Sequence, residues 1–466
     1  MVFSSLVFLY AFLPLVLAVY YLCPRRGRNA VLLLFSLLFY GWGEPKFILL
    51  MVASFTAAYL LGFPIAANRA ERPQAAQRWL FLSLAVSLST LFFFKYYDFT
   101  AATLSRLLFW DLPTLGLRLP VGISFYTFQI MSYSIDLYRG DADLQRNYLA
   151  FGTYVALFPQ LIAGPIVRYR EIDGQLRERT ATAADFAAGV ERFCAGLAKK
   201  VLLGDPLAAA HLYYRQTLAV APGATDAWML VVCYGLHLYF DFSGYSDMAV
   251  GLGRLFGFRF PENFNYPYLA EGAADFWRRW HITLSSWFRE YVYIPLGGNR
   301  RGRAVQLRNL AVVWVLTGLW HGANWNFLLW GVYWLVLLAG ERFLLRDRLE
   351  RVPTVLRRAA TLLLVFLGFL LFSEPDLPTF WRTVGCLVGV GCRKPDLLDW
   401  YRFSRLLPLL AVAVSGCSDL PRRLFDQLTR RRAARWLRPA FCVLLLLLAT
   451  ACLVDRSYSP FEYFQF

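Results

Sequence analysis

Residues 310–340 read LAVVWVLTGLWHGANWNFLLWGVYWLVLLAG and contain no Asp, Glu, Lys or Arg. A helix needs about 20 apolar residues to cross a membrane, and each helical residue advances about 1.5 Å. The run is therefore too long for one untilted helix. Its strongly polar residues cluster in the middle, in the sequence WHGANW at 320–325.

Both flanks of this run are basic. Arginines precede and follow it, at Arg300, Arg301, Arg303 and Arg308 and then at Arg342, Arg346 and Arg348. Short basic loops lie on the cytoplasmic side of a membrane, so we expect the chain to enter and return, with a break near Gly322. Irregular backbone at membrane depth is tolerated where it is buried in protein or lines a cavity. We therefore expect His321 to lie at an intramembrane break and to face a cavity.

The composition is that of a polytopic membrane protein. Of the 466 residues 58% are hydrophobic, and the mean hydropathy is +0.44. The net charge of +17 would suggest a nucleic-acid partner for a soluble protein. Here the basic residues fall in loops between apolar runs, so we expect a lipid bilayer and no nucleic acid as partner. The eight cysteines lack metal-like spacing.

The charge pattern also predicts the course of the chain. Residues 2–22 are uncharged and a basic cluster follows them, so we expect a first span with Met1 outside and no signal peptide. Further spans are predicted at 29–43, 47–67, 79–94, 119–135, 359–373, 406–418 and 439–454. This order leaves Lys95 and Asp98 in an outer loop, residues 422–438 in the cytoplasm, and both Glu374 and the tail outside.

Two other segments are irregular in pattern. Residues 147–167 are uncharged but contain Pro159, Gly164 and Pro165, which interrupt helices. We expect a re-entrant or broken segment there. Residues 184–200 have the pattern of an amphipathic helix, which we expect to end at Lys199-Lys200 on the cytoplasmic surface.

A second polar island lies inside apolar sequence at residues 226–250. Its members are His237, Asp241, Ser243, Tyr245 and Asp247. Carboxylates at membrane depth are costly and usually functional, whereas in an interfacial loop the same aspartates would cap helices or pair with arginine. Both interpretations stay open at this stage.

Few residues remain as candidates for catalysis. The chain has four histidines, no P-loop and no His-Glu-x-x-His, and we expect no metal. His321 can act as a single buried base, because imidazole titrates near physiological pH. In a continuing helix Asn324 and Trp325 would share its face. The alternatives are a structural histidine between helices for His321 and a loop or interfacial residue for His281.

Six stretches together carry a family resemblance. They are LPVGISFY at 119–126, LFPQLIAGP at 157–165, YFDFSGYSD at 239–247, ENFN at 262–265, DFWRRWH at 275–281 and LWHGAN at 319–324. With these stretches the sequence resembles the membrane-bound O-acyltransferases, most closely their bacterial alginate O-acetyltransferase branch. The resemblance covers about residues 1–345.

The resemblance implies an all-α fold, a bundle of about a dozen membrane helices with broken segments around a tunnel. It implies one integral-membrane domain over 1–466, with a family core at about 1–345, C-terminal helices at 359–454 and a tail at 455–466. It also implies transfer of an acyl group, expected to be acetyl from cytoplasmic acetyl-CoA, to an exopolysaccharide or cell-wall glycan. We expect a bacterial inner-membrane enzyme with a periplasmic acyltransferase partner and no bound cofactor.

His321 matches the catalytic histidine of the family and His281 its second characteristic histidine. We do not assign catalysis to His237, where close relatives are expected to have an uncharged polar residue. Side chains near these positions are expected to contact substrate: Asn324, Trp320, Trp325, Asp241 and Tyr245.

The tail PFEYFQF, residues 460–466, resembles an aromatic C-terminal motif of parts of this family, although Glu462 stands where an apolar residue is expected. The resemblance implies that Tyr463 carries the acyl group briefly after a base activates its phenol, whose pKa is about 10. The alternative is an interfacial aromatic anchor. For the whole chain the alternatives are another acyl donor, a lipid acceptor, or a transporter without acyl chemistry.

Overall fold

This computed structural model describes residues 1–109, 111–430 and 436–455, apart from the side chain of Arg346. Within these ranges the chain is helical and forms no β-strand, with one isolated bridge between Gly223 and Arg393. The predicted all-α class is therefore confirmed. Tyr463 lies outside the described residues.

Several helices are long and apolar enough to cross a membrane. In the described ranges there are five: Ile48–Asn68, Pro73–Leu108, Trp325–Leu345, Thr354–Ser373 and Leu437–Asp455. Leu397–Gly416 and Leu420–Thr429, bent by 75° at their junction, make a sixth if they form one span. The protein is thus a multi-pass membrane protein, while the expected dozen spans stay a prediction.

The described residues form two compact units, one of Met1–Phe193 with Ser246–Pro261, the other of Cys194–Tyr245 with the chain from Glu262 onward. The helices α1 to α10 are Leu13–Leu22, Arg28–Gly43, Ile48–Asn68, Pro73–Leu91, Tyr97–Leu108, Ile123–Arg139, Tyr148–Ala156, Phe158–Leu161, Tyr169–Arg177 and Ala183–Ala198. The helices α11 to α22 are Asp205–Val220, Ala224–Leu255, Ala273–Arg279, Ile282–Phe288, Arg303–His321, Trp325–Gly340, Arg346–Leu349, Thr354–Ser373, Leu377–Leu387, Leu397–Gly416, Leu420–Thr429 and Leu437–Asp455.

In the first unit, one predicted loop is wrong. A π-helical stretch, Phe92–Tyr96, joins α4 to α5, so that Pro73–Leu108 is one helix. Lys95 and Asp98 lie within it rather than in a loop. The Lys95 ammonium donates to Ser124 Oγ at 3.3 Å, and such a polar contact lets a lysine remain inside an apolar helix.

The broken segment at 147–167 is present. Helix α7 ends at Ala156, Leu157 turns the chain, and α8 begins at Phe158 with Pro159 in its first turn. Every residue from 150 to 167 is buried. The irregular backbone is therefore buried in protein, as the energetics of a membrane environment require.

In the second unit, α15 and α16 form a tight antiparallel hairpin. Helix α15 ends at His321, Gly322 is extended, and α16 begins at Trp325. A Cβ on Gly318 would lie 2.4 Å from the Phe327 carbonyl oxygen, and one on Gly331 would lie 2.4 Å from that of Trp314. Glycine therefore allows the two backbones to touch, and the chain breaks where the sequence predicts.

Candidate active site

His321 is the last residue of α15, and its side chain is buried. Three aromatic rings meet the imidazole edge to face, with centroids at 4.9 Å for Trp320, 4.9 Å for Trp330 and 5.2 Å for Phe372. Aromatic groups favour such tilted contacts. The hairpin supplies the two tryptophans, and the end of α18 supplies Phe372.

A polar contact between main chain and side chain joins α16 to the end of α18. The side-chain amide of Asn326 donates to the Glu374 carbonyl oxygen at 2.5 Å. The Arg215 guanidinium donates to the neighbouring Ser373 carbonyl oxygen at 2.8 Å. The residue before Ser373 is Phe372. These bonds therefore hold one wall of the His321 pocket in place.

His281 lies between α13 and α14 and is fully buried. Its backbone is left-handed, with φ 44° and ψ 51°, a region that residues other than glycine rarely occupy. The chain is held there because the Ile282 amide donates to the Asn263 carbonyl oxygen at 3.0 Å. Such backbone conformations cluster at functional sites.

Asn263 determines which nitrogen of His281 carries the proton. The Thr283 amide and hydroxyl donate to Asn263 Oδ1, at 3.3 and 2.9 Å, so this atom is the amide oxygen and can only accept. His281 Nδ1 lies 3.2 Å from the same oxygen and must donate to it. Neutral His281 therefore presents Nε2 as an acceptor.

Burial also keeps His281 neutral. The ring lies outside the membrane-spanning helices and is completely enclosed, which lowers its pKa to about 3 because desolvation disfavours the charged form. The Phe242 ring of α12 meets it edge to face at 4.8 Å. The indole of Trp320 lies 5.9 Å away, and it also contacts His321.

The other residues expected at the site are more scattered. Asn324 and Trp325 do not share a helical face with His321, because the helix ends before Gly322 at the predicted break; both are exposed. The Asn324 side chain instead caps α16, because its Oδ1 accepts a hydrogen bond from the backbone amide of Asn326 at 3.4 Å. Trp320 is buried against both imidazole rings. It is thus an expected substrate residue that contacts both histidines.

Asp241 and Tyr245 lie one turn apart on α12, and both are buried. Asp241 pairs with Lys200 at 2.6 Å, and Lys200 also pairs with Asp205 at 2.8 Å.

The prediction that an amphipathic helix ends at Lys199-Lys200 on the cytoplasmic surface is therefore wrong. The helix continues as a π-helical stretch, Lys199–Gly204, and buries Lys200 because two carboxylates compensate its charge.

Sequence reasoning missed four residues that contact the histidines: Phe242, Asn263, Trp330 and Phe372. The stretch ENFN at 262–265 contained a usable signal for Asn263, because it is one of the stretches that carry the resemblance. The described residues contain no group of three or more His, Cys, Asp or Glu that could hold a metal ion. Tyr463 is outside the described residues.

Comparison with known proteins agrees with this architecture. The family model for the membrane-bound O-acyltransferases matches residues 100–372, a range that contains both histidines and the hairpin. The chain belongs to the membrane-bound O-acyltransferase family and is an integral-membrane acyltransferase.

Its relatives place it in the alginate O-acetyltransferase branch. It is 41% identical to the probable alginate O-acetylase AlgI of Azotobacter vinelandii, over 100% of both chains. It is 45% identical to the probable alginate O-acetylase AlgI of Pseudomonas aeruginosa, over 84% of this chain and 75% of that one. It is 31% identical to the peptidoglycan O-acetyltransferase of Helicobacter pylori, over 100% of this chain and 98% of that one.

Proposed function

We propose that this protein transfers acetyl groups from cytoplasmic acetyl-CoA to hydroxyl groups of an exopolysaccharide or cell-wall glycan, across a bacterial inner membrane. The names of the relatives, an alginate O-acetylase and a peptidoglycan O-acetyltransferase, support both the acetyl group and the polysaccharide acceptor. The membrane-spanning helices support a location that gives access to both compartments.

The observation that carries the catalytic assignment is the position of His321. Its imidazole is buried at the end of a helix that stops before Gly322, inside a pocket of aromatic rings. In this pocket a neutral imidazole can remove a proton from a hydroxyl group. We assign His321 as the general base.

We assign His281 as the second imidazole of the same centre. Asn263 fixes its tautomer, so Nε2 accepts a hydrogen bond from the acceptor hydroxyl or from a water beside it. Trp320 contacts both imidazoles and supplies a flat apolar wall for the acyl group. Asn324, Trp325, Asp241 and Tyr245 complete the proposed set of substrate residues.

The first chemical step that we propose uses the tail. The His321 imidazole takes the phenol proton of Tyr463, and the phenolate oxygen attacks the thioester carbonyl carbon. The C–S bond breaks, the CoA thiolate takes the proton from the imidazolium, and the products are CoA and acetyl-Tyr463. A periplasmic acyltransferase partner then accepts the acetyl group and passes it to the glycan.

The test uses purified full-length protein and acetyl-CoA labelled in the acetyl group. Release of free thiol, with label on the C-terminal peptide that contains Tyr463, is the expected result. The Tyr463→Phe variant should lose the peptide label. If label reaches the tail of a His321→Ala variant as efficiently as that of the wild type, the proposed relay is wrong. If wild type releases no thiol from acetyl-CoA in the presence of partner and acceptor, the acetyl donor is wrong.

A further inference from the structure

Two cysteines lie close together at the end of α19, far along the chain from the histidines. Helix α19 ends at Leu387, and the chain then folds back through Gly389 and Gly391, both with positive φ. The Gly389 amide donates to the Cys386 carbonyl oxygen at 3.1 Å. Cys392 Sγ thereby comes within 3.8 Å of the same oxygen.

The Cys392 thiol lies next to Cys386, because its Sγ contacts the Cys386 carbonyl oxygen. Burial, together with the neighbouring Cys392 thiol, raises the pKa of Cys386. Cys386 is almost fully buried, whereas Cys392 is half-buried. The Cys392 thiol is thus accessible to a reaction partner, whereas the Cys386 thiol is shielded from solvent.

The loop falls on the extracytoplasmic side by the distribution of charge. Helix α18 has Arg357 and Arg358 in its first turns, and residues 430–438, beyond α20 and α21, are rich in arginine. Basic flanks are cytoplasmic. The span α18 separates the first flank from the loop, and α20 with α21, taken as one bent span, separates the second. Extracytoplasmic compartments of bacteria are oxidising towards thiols.

We propose that Cys386 and Cys392 are joined by a disulfide bond on the extracytoplasmic side of the membrane. The Cys392 thiolate attacks the disulfide of a thiol–disulfide oxidase, and one oxidase sulfur leaves as a thiol. The Cys386 thiolate then attacks Cys392 in the mixed disulfide and releases the second oxidase sulfur. The loop loses two hydrogens, and the oxidase disulfide becomes two thiols.

The bond would fasten a loop that holds the start of α12. The Trp228 indole donates to the Leu387 carbonyl oxygen at 3.1 Å, and the Arg393 amide donates to the Pro222 carbonyl oxygen at 2.8 Å. The Arg393 guanidinium pairs with Asp226 at 3.0 Å and with Asp399 at 2.6 Å. A disulfide between Cys386 and Cys392 encloses Leu387 and lies beside Arg393, so it limits the opening of these contacts.

The test labels thiols in the full-length protein. Cells are quenched in acid, the protein is denatured and free thiols are alkylated; reduction and a second alkylating reagent follow. One tryptic peptide, Thr383–Arg393, contains both cysteines. The proposal expects the second label on both, and an unreduced peptide that is two hydrogens lighter, while Cys194 and Cys417 take the first label.

The proposal is overturned if Cys386 and Cys392 both take the first label, or if either is joined to a different cysteine. In the Cys386→Ser variant, Cys392 should take the first label. Thermal unfolding adds a second measurement: a reductant should lower the melting temperature of wild type and leave that of the Cys386→Ser/Cys392→Ser variant unchanged. A melting temperature of wild type that does not respond to reductant argues against the bond.

Discussion

The imidazoles of His281 and His321 share one neighbour, the indole of Trp320, whose centroid lies 5.9 Å from the first ring and 4.9 Å from the second. The two ring centroids are therefore separated by no more than the sum of these distances, although the residues are 40 positions apart in the sequence. One acyl-transfer centre can contain both.

Asn263 offers a direct test of the His281 tautomer. Because its oxygen accepts from Nδ1, Asn263→Ala should free the ring to rotate and to exchange tautomers. We expect the turnover rate of acetyl transfer to fall by about 10- to 100-fold, as happens when a partner that orients an imidazole is lost. Initial rates at saturating acetyl-CoA measure this. An unchanged rate would contradict the assignment of His281.

Asn263→Asp tests the same contact through pH. In the wild type, burial holds the pKa of His281 at about 3, so the ring stays neutral from pH 5 to 8. Protonation of His281 therefore does not reduce the activity of the wild type in this pH range. A carboxylate beside Nδ1 favours the imidazolium and raises this pKa. Activity of the variant relative to wild type should therefore fall as pH is lowered. Parallel pH profiles would show that residue 263 does not act on His281.

Close packing of the α15–α16 hairpin predicts the effect of a single methyl group. A Cβ on Gly318 would meet a carbonyl oxygen at 2.4 Å, and backbone cannot yield as a side chain does. Gly318→Ala should destabilise the protein by about 1–3 kcal/mol, typical of overpacking. Gly340→Ala is the matched control, since its Cβ would have nothing within 4 Å. Thermal unfolding in detergent compares them, and equal melting temperatures would contradict the hairpin geometry.

Lys200 is expected to be essential for stability rather than for chemistry. Lys200→Met leaves the buried carboxylates of Asp205 and Asp241 without their ammonium partner, which costs about 3–5 kcal/mol. Lys199 is a half-buried neighbour of Lys200, and Lys199→Met should lower the free energy of unfolding by less.

Removing the charges together supplies the control. Lys200→Met combined with Asp205→Asn and Asp241→Asn leaves no buried charge in this cluster, so much of the lost stability should return. The yield and melting temperature of the purified variants measure how much stability returns. If the combined variant is no more stable than Lys200→Met alone, the ion cluster does not explain the effect.

The hairpin and His321 could be predicted because their signals are local. Gly322, the uncharged run and its basic flanks all lie within one continuous stretch, residues 300–348. The contacts that complete the site join distant positions. Asn263 meets His281, and Phe372 meets His321, through tertiary packing that no periodicity encodes.

The two wrong predictions have a common cause. Lys95 and Lys200 are charged residues, and a charge in apolar sequence favours a loop or a surface. Each instead lies within a helix and has a polar partner, Ser124 for Lys95 and a pair of aspartates for Lys200. Charge predicts topology well only where no buried partner exists.

The central claim is that His321 is the base in acyl transfer, and thiol release tests it most directly. Wild type, His321→Ala and His211→Ala are compared with acetyl-CoA, partner and acceptor present, at equal folded concentration. His211 is also buried, and its ring bonds to the Leu230 carbonyl oxygen at 3.2 Å. The account predicts a loss of about 10²- to 10⁴-fold for His321→Ala and near wild-type release for His211→Ala. Near wild-type release by folded His321→Ala would contradict it.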